Sequence, residues 1–119
     1  MTLNECYKKL GGSYKEVFDR LQSDVLIEKL LFKFRDDPSL SELKKGYDEK
    51  NAEQAFRAVH TLKGVAQNLG FQRLAESSAV LTEILRSGAL PHTDDLMNRI
   101  LSNYKDTIDA INEYESQKN

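Results

Sequence analysis

The sequence predicts an all-α fold, an antiparallel four-helix bundle with short extra helices at its N-terminal end. Three observations lead there. Punctuation is sparse, with two prolines and six glycines in 119 residues and helix formers filling the intervals. No stretch sustains the apolar–polar alternation of β-branched residues that marks a strand. The longer intervals instead repeat apolar residues every three or four positions, the period of a helix with one buried face.

The elements follow in order. Thr2 and Glu5 have capping-box spacing and open a short helix to Leu10, stopped by Gly11-Gly12. Ser13 and Glu16 repeat the spacing for a second short helix through about Leu21, with Tyr14, Val17, Phe18 and Leu21 recurring at intervals of three and four. Ser23 or Asp24 caps a third, from about Val25 to Phe34. Val25, Leu26, Ile27, Leu30, Leu31, Phe32 and Phe34 make it apolar on most faces, so it is expected to be well buried. Asp36-Asp37-Pro38 breaks it. A fourth runs from about Ser41 to Glu49 with Leu40, Leu43 and Tyr47 inward.

Asn51 caps a long helix from about Ala52 to Leu69, ended by Gly70. Another begins almost at once, from about Phe71 to Ser87, so the two form an antiparallel hairpin. Gly88 to His92 reads as a loop. Thr93 or Asp94 starts the last helix, which runs to about Tyr114 on the repeat Leu96, Ile100, Leu101, Tyr104, Ile108 and Ile111. Ser116 to Asn119 is a frayed tail.

Composition narrows the function. The length is that of one domain, and residues 1–119 are expected to form it. With 39% hydrophobic residues and a net charge of only -2, the chain is neither a disordered segment nor a dedicated nucleic-acid binder, which carries a basic excess. Cys6 is the sole cysteine, so no internal disulfide and no cysteine-based zinc site is available. The start lacks a hydrophobic signal core, and Val25-Leu26-Ile27 is cut by Glu28 and Lys29, so no membrane span is expected. A cytoplasmic location is the expectation, and the chain has enough helices to close a bundle by itself, so a monomer is expected.

The informative stretch is Ala55 to Gly70. On a wheel of about 100° per residue, Ala55, Val59, Leu62, Ala66 and Leu69 share the core sector, and His60 lies more than ~120° from its middle. Lys63, Gly64 and Gln67 share the His60 side. Neutral imidazole is a nucleophile at physiological pH and can carry a phosphoryl group. An ammonium at i+3 is a helix-surface neighbour placed to meet phosphoryl oxygens, and the Gln67 amide adds donors. Gly64 costs its helix about 1 kcal/mol against alanine, so its presence asks for a reason. On the next helix, Thr82 and Arg86 sit a turn apart. His60 lies ten residues before the Gly70 turn and Thr82 twelve after it, so their heights nearly match. That places the Thr82 hydroxyl to orient the imidazole and the forked Arg86 donors to reach a phosphoryl oxygen.

His60-Thr61-Leu62-Lys63-Gly64, then Asn68-Leu69-Gly70 and Leu74-Ala75, resembles the signature of the histidine phosphotransfer (HPt) family. The run Leu81-Thr82-Glu83-Ile84-Leu85-Arg86 is similar to bacterial single-domain members. The motif covers roughly residues 52 to 87, and the helix count extends the likeness to nearly the whole chain. The resemblance implies a phosphorelay carrier that accepts a phosphoryl group from a receiver-domain aspartate and passes it to another receiver aspartate. His60 then matches the phosphorylated position, Lys63 the phosphate-stabilising lysine and Gly64 the access glycine. Some relatives carry glutamine where Thr82 stands, and the position of Arg86 varies. The resemblance further implies that the carrier has no cofactor of its own, the receiver supplying Mg²⁺ and the aspartate. Partners are receiver domains of response regulators or hybrid sensor kinases.

The alternative is a non-catalytic helical adaptor in which His60 is incidental. An autophosphorylating kinase fragment fits less well: its phosphorylated histidine is typically followed by an acidic residue, whereas Thr61 stands here, and no glycine-rich nucleotide loop is present. A di-iron bundle needs paired Glu-x-x-His motifs, but Arg57 precedes His60 by three and His92 lies in a loop.

Overall fold

A computed structural model of the chain describes residues 1–88, 90 and 93–118. Among these lie seven helices and no strand: α1 (Leu3–Leu10), α2 (Tyr14–Leu21), α3 (Asp24–Phe34), α4 (Ser39–Asp48), α5 (Ala52–Asn68), α6 (Gln72–Leu85) and α7 (Asp94–Ser116). The all-α expectation holds, and each helix end falls within two residues of its sequence-derived place. The expected loop after α6 includes Ala89, Pro91 and His92, which lie outside the described residues, as does Asn119.

Local chemistry sets the starts. The Glu5 N–H donates to the Thr2 hydroxyl at 3.1 Å while the Thr2 N–H donates to the Glu5 carboxylate at 3.0 Å, a complete capping box. Ser13, Ser23 and Asn51 each accept the N–H three residues on, opening α2, α3 and α5. Helix α4 begins two residues earlier than the spacing of Ser41 suggests, because the Asp37 carboxylate accepts the Ser39 N–H at 2.8 Å and allows the turn to form there.

Helices α4, α5, α6 and α7 pack in chain order, each against the next, and the Tyr47 hydroxyl of α4 donates to Asp94 at the start of α7. The α5–α6 hairpin turns at Gly70, whose φ of 74° is the left-handed conformation that glycine adopts freely. Helix α1 packs on α7, and α2 links α1 to α3. The N-terminal helices are also stitched to the hairpin turn. Ser13 N–H donates to Gly70 O, Arg73 N–H to Gly11 O, and the buried Tyr7 hydroxyl to Leu69 O at 2.7 Å. Arg20 Nη2 donates to both Gln67 O and Asn68 O, at 2.8 and 2.7 Å, capping the C-terminal carbonyls of α5 with a cation, the favoured sign there.

Two expectations about burial are corrected. Helix α3 is not buried on most faces: Val25 is 79% and Leu26 38% exposed, and Leu30 and Phe32 are only partly covered. Ile27, Leu31 and Phe34 form the single stripe that meets the core, because α3 lies on the outside of the assembly and has neighbours on one side. In α7 the buried seam is Met97, Ile100, Asn103, Thr107, Ala110 and Ile111. Leu96, Leu101, Tyr104 and Ile108 flank it, half-buried. The polar members are satisfied: the Asn103 amide donates to Ser77 Oγ at 2.8 Å and Arg73 O at 3.2 Å, and the Thr107 hydroxyl to Asn103 O at 2.8 Å.

Candidate functional site

Helix α5 carries the site because it has a well-defined buried face and an equally well-defined free one. Ala55, Ala58, Val59, Leu62 and Ala66 are buried against α4 and α6. His60, Gly64 and Gln67 are exposed and Lys63 is half-buried. The alanines allow close helix approach, and burying the Val59 and Leu62 side chains contributes about 1.5–3 kcal/mol each. These contacts fix the rotation of the helix and hold the imidazole in solvent. The expected rotation is the observed one.

Gly64 is the informative backbone position. A Cβ built there meets nothing within 4 Å. Gly46 in α4 behaves oppositely: a Cβ would lie 2.7 Å from Ala55 N and 3.1 Å from Ala55 Cα, so that glycine lets α4 and α5 touch. Nothing within the fold requires Gly64 to be glycine, although it lies in mid-helix where glycine is unfavourable. The close-packing explanation is removed, and what remains is a bare patch of backbone one turn from His60.

The ring of Phe56, one turn before His60, lies 5.8 Å from the imidazole centroid at a tilt of 53°. The Arg86 guanidinium sits over the same Phe56 ring, 5.3 Å from its centroid. Arg86 also donates to the Glu83 carboxylate, from Nε at 3.2 Å and from Nη2 at 3.1 Å. The Glu83 carboxyl is held below the usual carboxylate range, first by these hydrogen bonds and the Arg86 charge, then by the charges of Lys63 and His60. His60, Lys63, Phe56, Glu83 and Arg86 therefore form one cluster across α5 and α6. Among the described residues Lys63 forms no ion pair, whereas Arg86 is paired.

The structure does not bring Thr82 to the ring in the expected way. Thr82 is fully buried, and its hydroxyl donates to Ser78 O in its own helix at 2.7 Å. No hydrogen bond joins it to His60. Gln67 lies on the His60 side but further along, lining a shallow surface cleft with Glu16, Gln72 and Glu76. Sequence reasoning passed over Phe56 and Glu83 as site members. The spacing of Phe56 four before His60, and of Glu83 three before Arg86, is the signal for both. Among the described residues no group of three or more His, Cys, Asp or Glu side chains is placed to hold a metal ion. Among the described residues no helix is long and apolar enough to cross a membrane.

Fold and exposed face together fit the class of small helical phosphotransfer modules. The family model described as the Hpt domain matches residues 26–114 of 119, and the chain belongs to the Hpt domain family. The matched segment begins inside α3, so α1 and α2 lie outside it. Membership carries a general role: histidine phosphotransfer in a phosphorelay, exercised as a phosphocarrier rather than a catalyst, and with receiver domains as the interacting class. No solved structure matches the chain.

Proposed function

We propose that His60 is the phosphoacceptor of a phosphorelay carrier, taking a phosphoryl group from the aspartyl phosphate of one receiver domain and giving it to the aspartate of another. The carrying observation is the exposed His60 beside a glycine that the fold itself does not need. In the first step an imidazole nitrogen attacks phosphorus, the N–P bond forms, and the acyl P–O bond breaks to return a carboxylate to the donor. The second step runs the same exchange toward the acceptor carboxylate. Transfer of this kind needs positioning and charge neutralisation more than covalent chemistry from the protein. Lys63, free of an ion pair, meets the arriving oxygens as a point charge. Gly64 lets the receiver's aspartate approach the ring. Arg86 is held against Phe56, whose ring neighbours the imidazole, and is the second cation of the cluster.

Mg²⁺ enters on the receiver, whose acidic site holds it. Beside Gly64, the Val65 and Asn68 side chains border an open cleft with Leu30, Phe34 and Pro38. The carrier is proposed to act as a monomer, since its helices pack on one another within one chain, and in the cytoplasm, where receiver domains meet it. The deciding experiment is incubation with a phosphorylated receiver. Acid-labile, base-stable label on the wild type, absent in His60→Gln, supports the proposal. Equal labelling of both proteins rejects it, and intact signalling by His60→Gln supports the adaptor reading instead.

A further inference from the structure

The acceptor face contains an anion where a phosphate-handling site is expected to be wholly cationic. Glu83 occupies both donors of Arg86 that face it, at 3.2 and 3.1 Å. Its carboxylate is also within electrostatic reach of His60 and Lys63. Arg86 in turn stacks on Phe56, whose ring stands against the imidazole. The pair is exposed, at 53% for Arg86 and 64% for Glu83, so either side chain is free to move. Before phosphorylation, Lys63, Arg86 and Glu83 leave the cluster with one net positive charge. A phosphoryl group adds about -1.5 to -2. The group then faces a carboxylate as well as two cations, and it competes with that carboxylate for Arg86.

We propose that Glu83 is a positioning residue that sets how loosely His60 holds a phosphoryl group. In the unmodified carrier it holds Arg86 on Phe56 through two hydrogen bonds. In the phosphorylated carrier it repels the new dianion and draws Arg86 back, so the N–P bond stays ready for transfer. A relay carrier needs this, because a state stabilised too far in either direction stops the flow of phosphoryl groups. The inference rests on His60 being the phosphoacceptor.

The test uses potassium phosphoramidate, a small anionic donor, so that no partner is needed. The imidazole displaces ammonia at phosphorus: the donor P–N bond breaks, the N–P bond to His60 forms, and the imidazole proton leaves with ammonia as ammonium. Labelling and subsequent hydrolysis are followed by phosphorus NMR on the full chain, for wild type, His60→Gln, Glu83→Gln and Glu83→Asp. At low ionic strength Glu83→Gln is expected to label about three- to tenfold faster and to lose its phosphoryl group more slowly by a similar factor, the size of a screened charge effect at an exposed site. Glu83→Asp keeps the charge and stays close to wild type. In about 1 M salt, where the Debye length is ~3 Å, the wild type and Glu83→Gln converge. A purely structural role for Glu83 does not produce that convergence. If the wild type labels at His60 while Glu83→Gln behaves identically, or if their difference persists unchanged in high salt, the role of Glu83 is overturned and the phosphoacceptor stands. If His60→Gln labels as the wild type does, both fall.

Discussion

Replacing Gly64 by alanine separates what the fold wants from what the function wants. The position is inside α5, seventeen residues long, and a Cβ there touches nothing within 4 Å. Alanine restores helix propensity and reduces the freedom of the unfolded chain without meeting any neighbour. The gain is about 0.5–1 kcal/mol, which for a chain of this size raises Tm by roughly 2–6 °C. Gly46→Ala is the matched control. It has the same propensity gain, but its Cβ meets the Ala55 backbone at 2.7 and 3.1 Å, and backbone in a packed helix does not move aside cheaply. Overpacking of this kind costs about 1–3 kcal/mol, so the net change is a loss. Urea unfolding followed by far-UV circular dichroism gives both signs. Phosphoryl transfer from a phosphorylated receiver gives the functional half: Gly64→Ala is expected to slow it on the order of tenfold, because a misplacement near 1 Å at a reacting pair is expensive. Gly64→Gln, which covers the imidazole side further, slows it more. A less stable Gly64→Ala would refute the structural reasoning. A more stable variant with undiminished transfer would refute the access role.

Two further changes probe the scaffold beneath the site. Tyr7→Phe removes the hydroxyl that donates to Leu69 O and leaves that carbonyl short of a buried partner, so stability falls by about 1–2 kcal/mol while labelling of His60 persists; an unchanged urea midpoint would contradict this. Burial, with a smaller contribution from the Glu113 charge, pushes the Cys6 thiol from 9.0 up to about 11. Because the folded state favours the protonated thiol, its contribution to stability is fully present below pH 9 and is lost as pH rises from there through about 11. Urea midpoints measured across that interval fall more steeply for the wild type than for Cys6→Ala, and parallel profiles would rule the linkage out.

Much of this protein is legible along the chain. The caps at Thr2, Ser13, Ser23 and Asn51 are local hydrogen bonds between residues three apart, so the sequence states them directly. The same holds for the face of α5: Val59, Leu62 and Ala66 fix one side, and the period of the helix places His60 on the other. Periodicity served less well where an element has neighbours on one flank only. The apolar surround of α3 is read as burial, yet only the stripe of Ile27, Leu31 and Phe34 finds a partner. In α7 the seam passes through Asn103 and Thr107, which no hydropathy pattern selects: Ser77 and the Arg73 carbonyl of α6 satisfy the Asn103 amide, and the Thr107 hydroxyl turns back to Asn103 O in its own helix.

The sequence by itself determined the helices, their order, and the exposure of His60 and Gly64 with Lys63 on the same side, since each depends on residues within a turn or two of one another. Tertiary structure alone decided that Gly46 is required by packing and Gly64 is not, that the Thr82 hydroxyl donates to Ser78, and that Arg86 is paired with Glu83 and stacked on Phe56. Those outcomes depend on the distance between two helices and on which side chains meet across it. Neither quantity is encoded in the spacing of residues along a single helix.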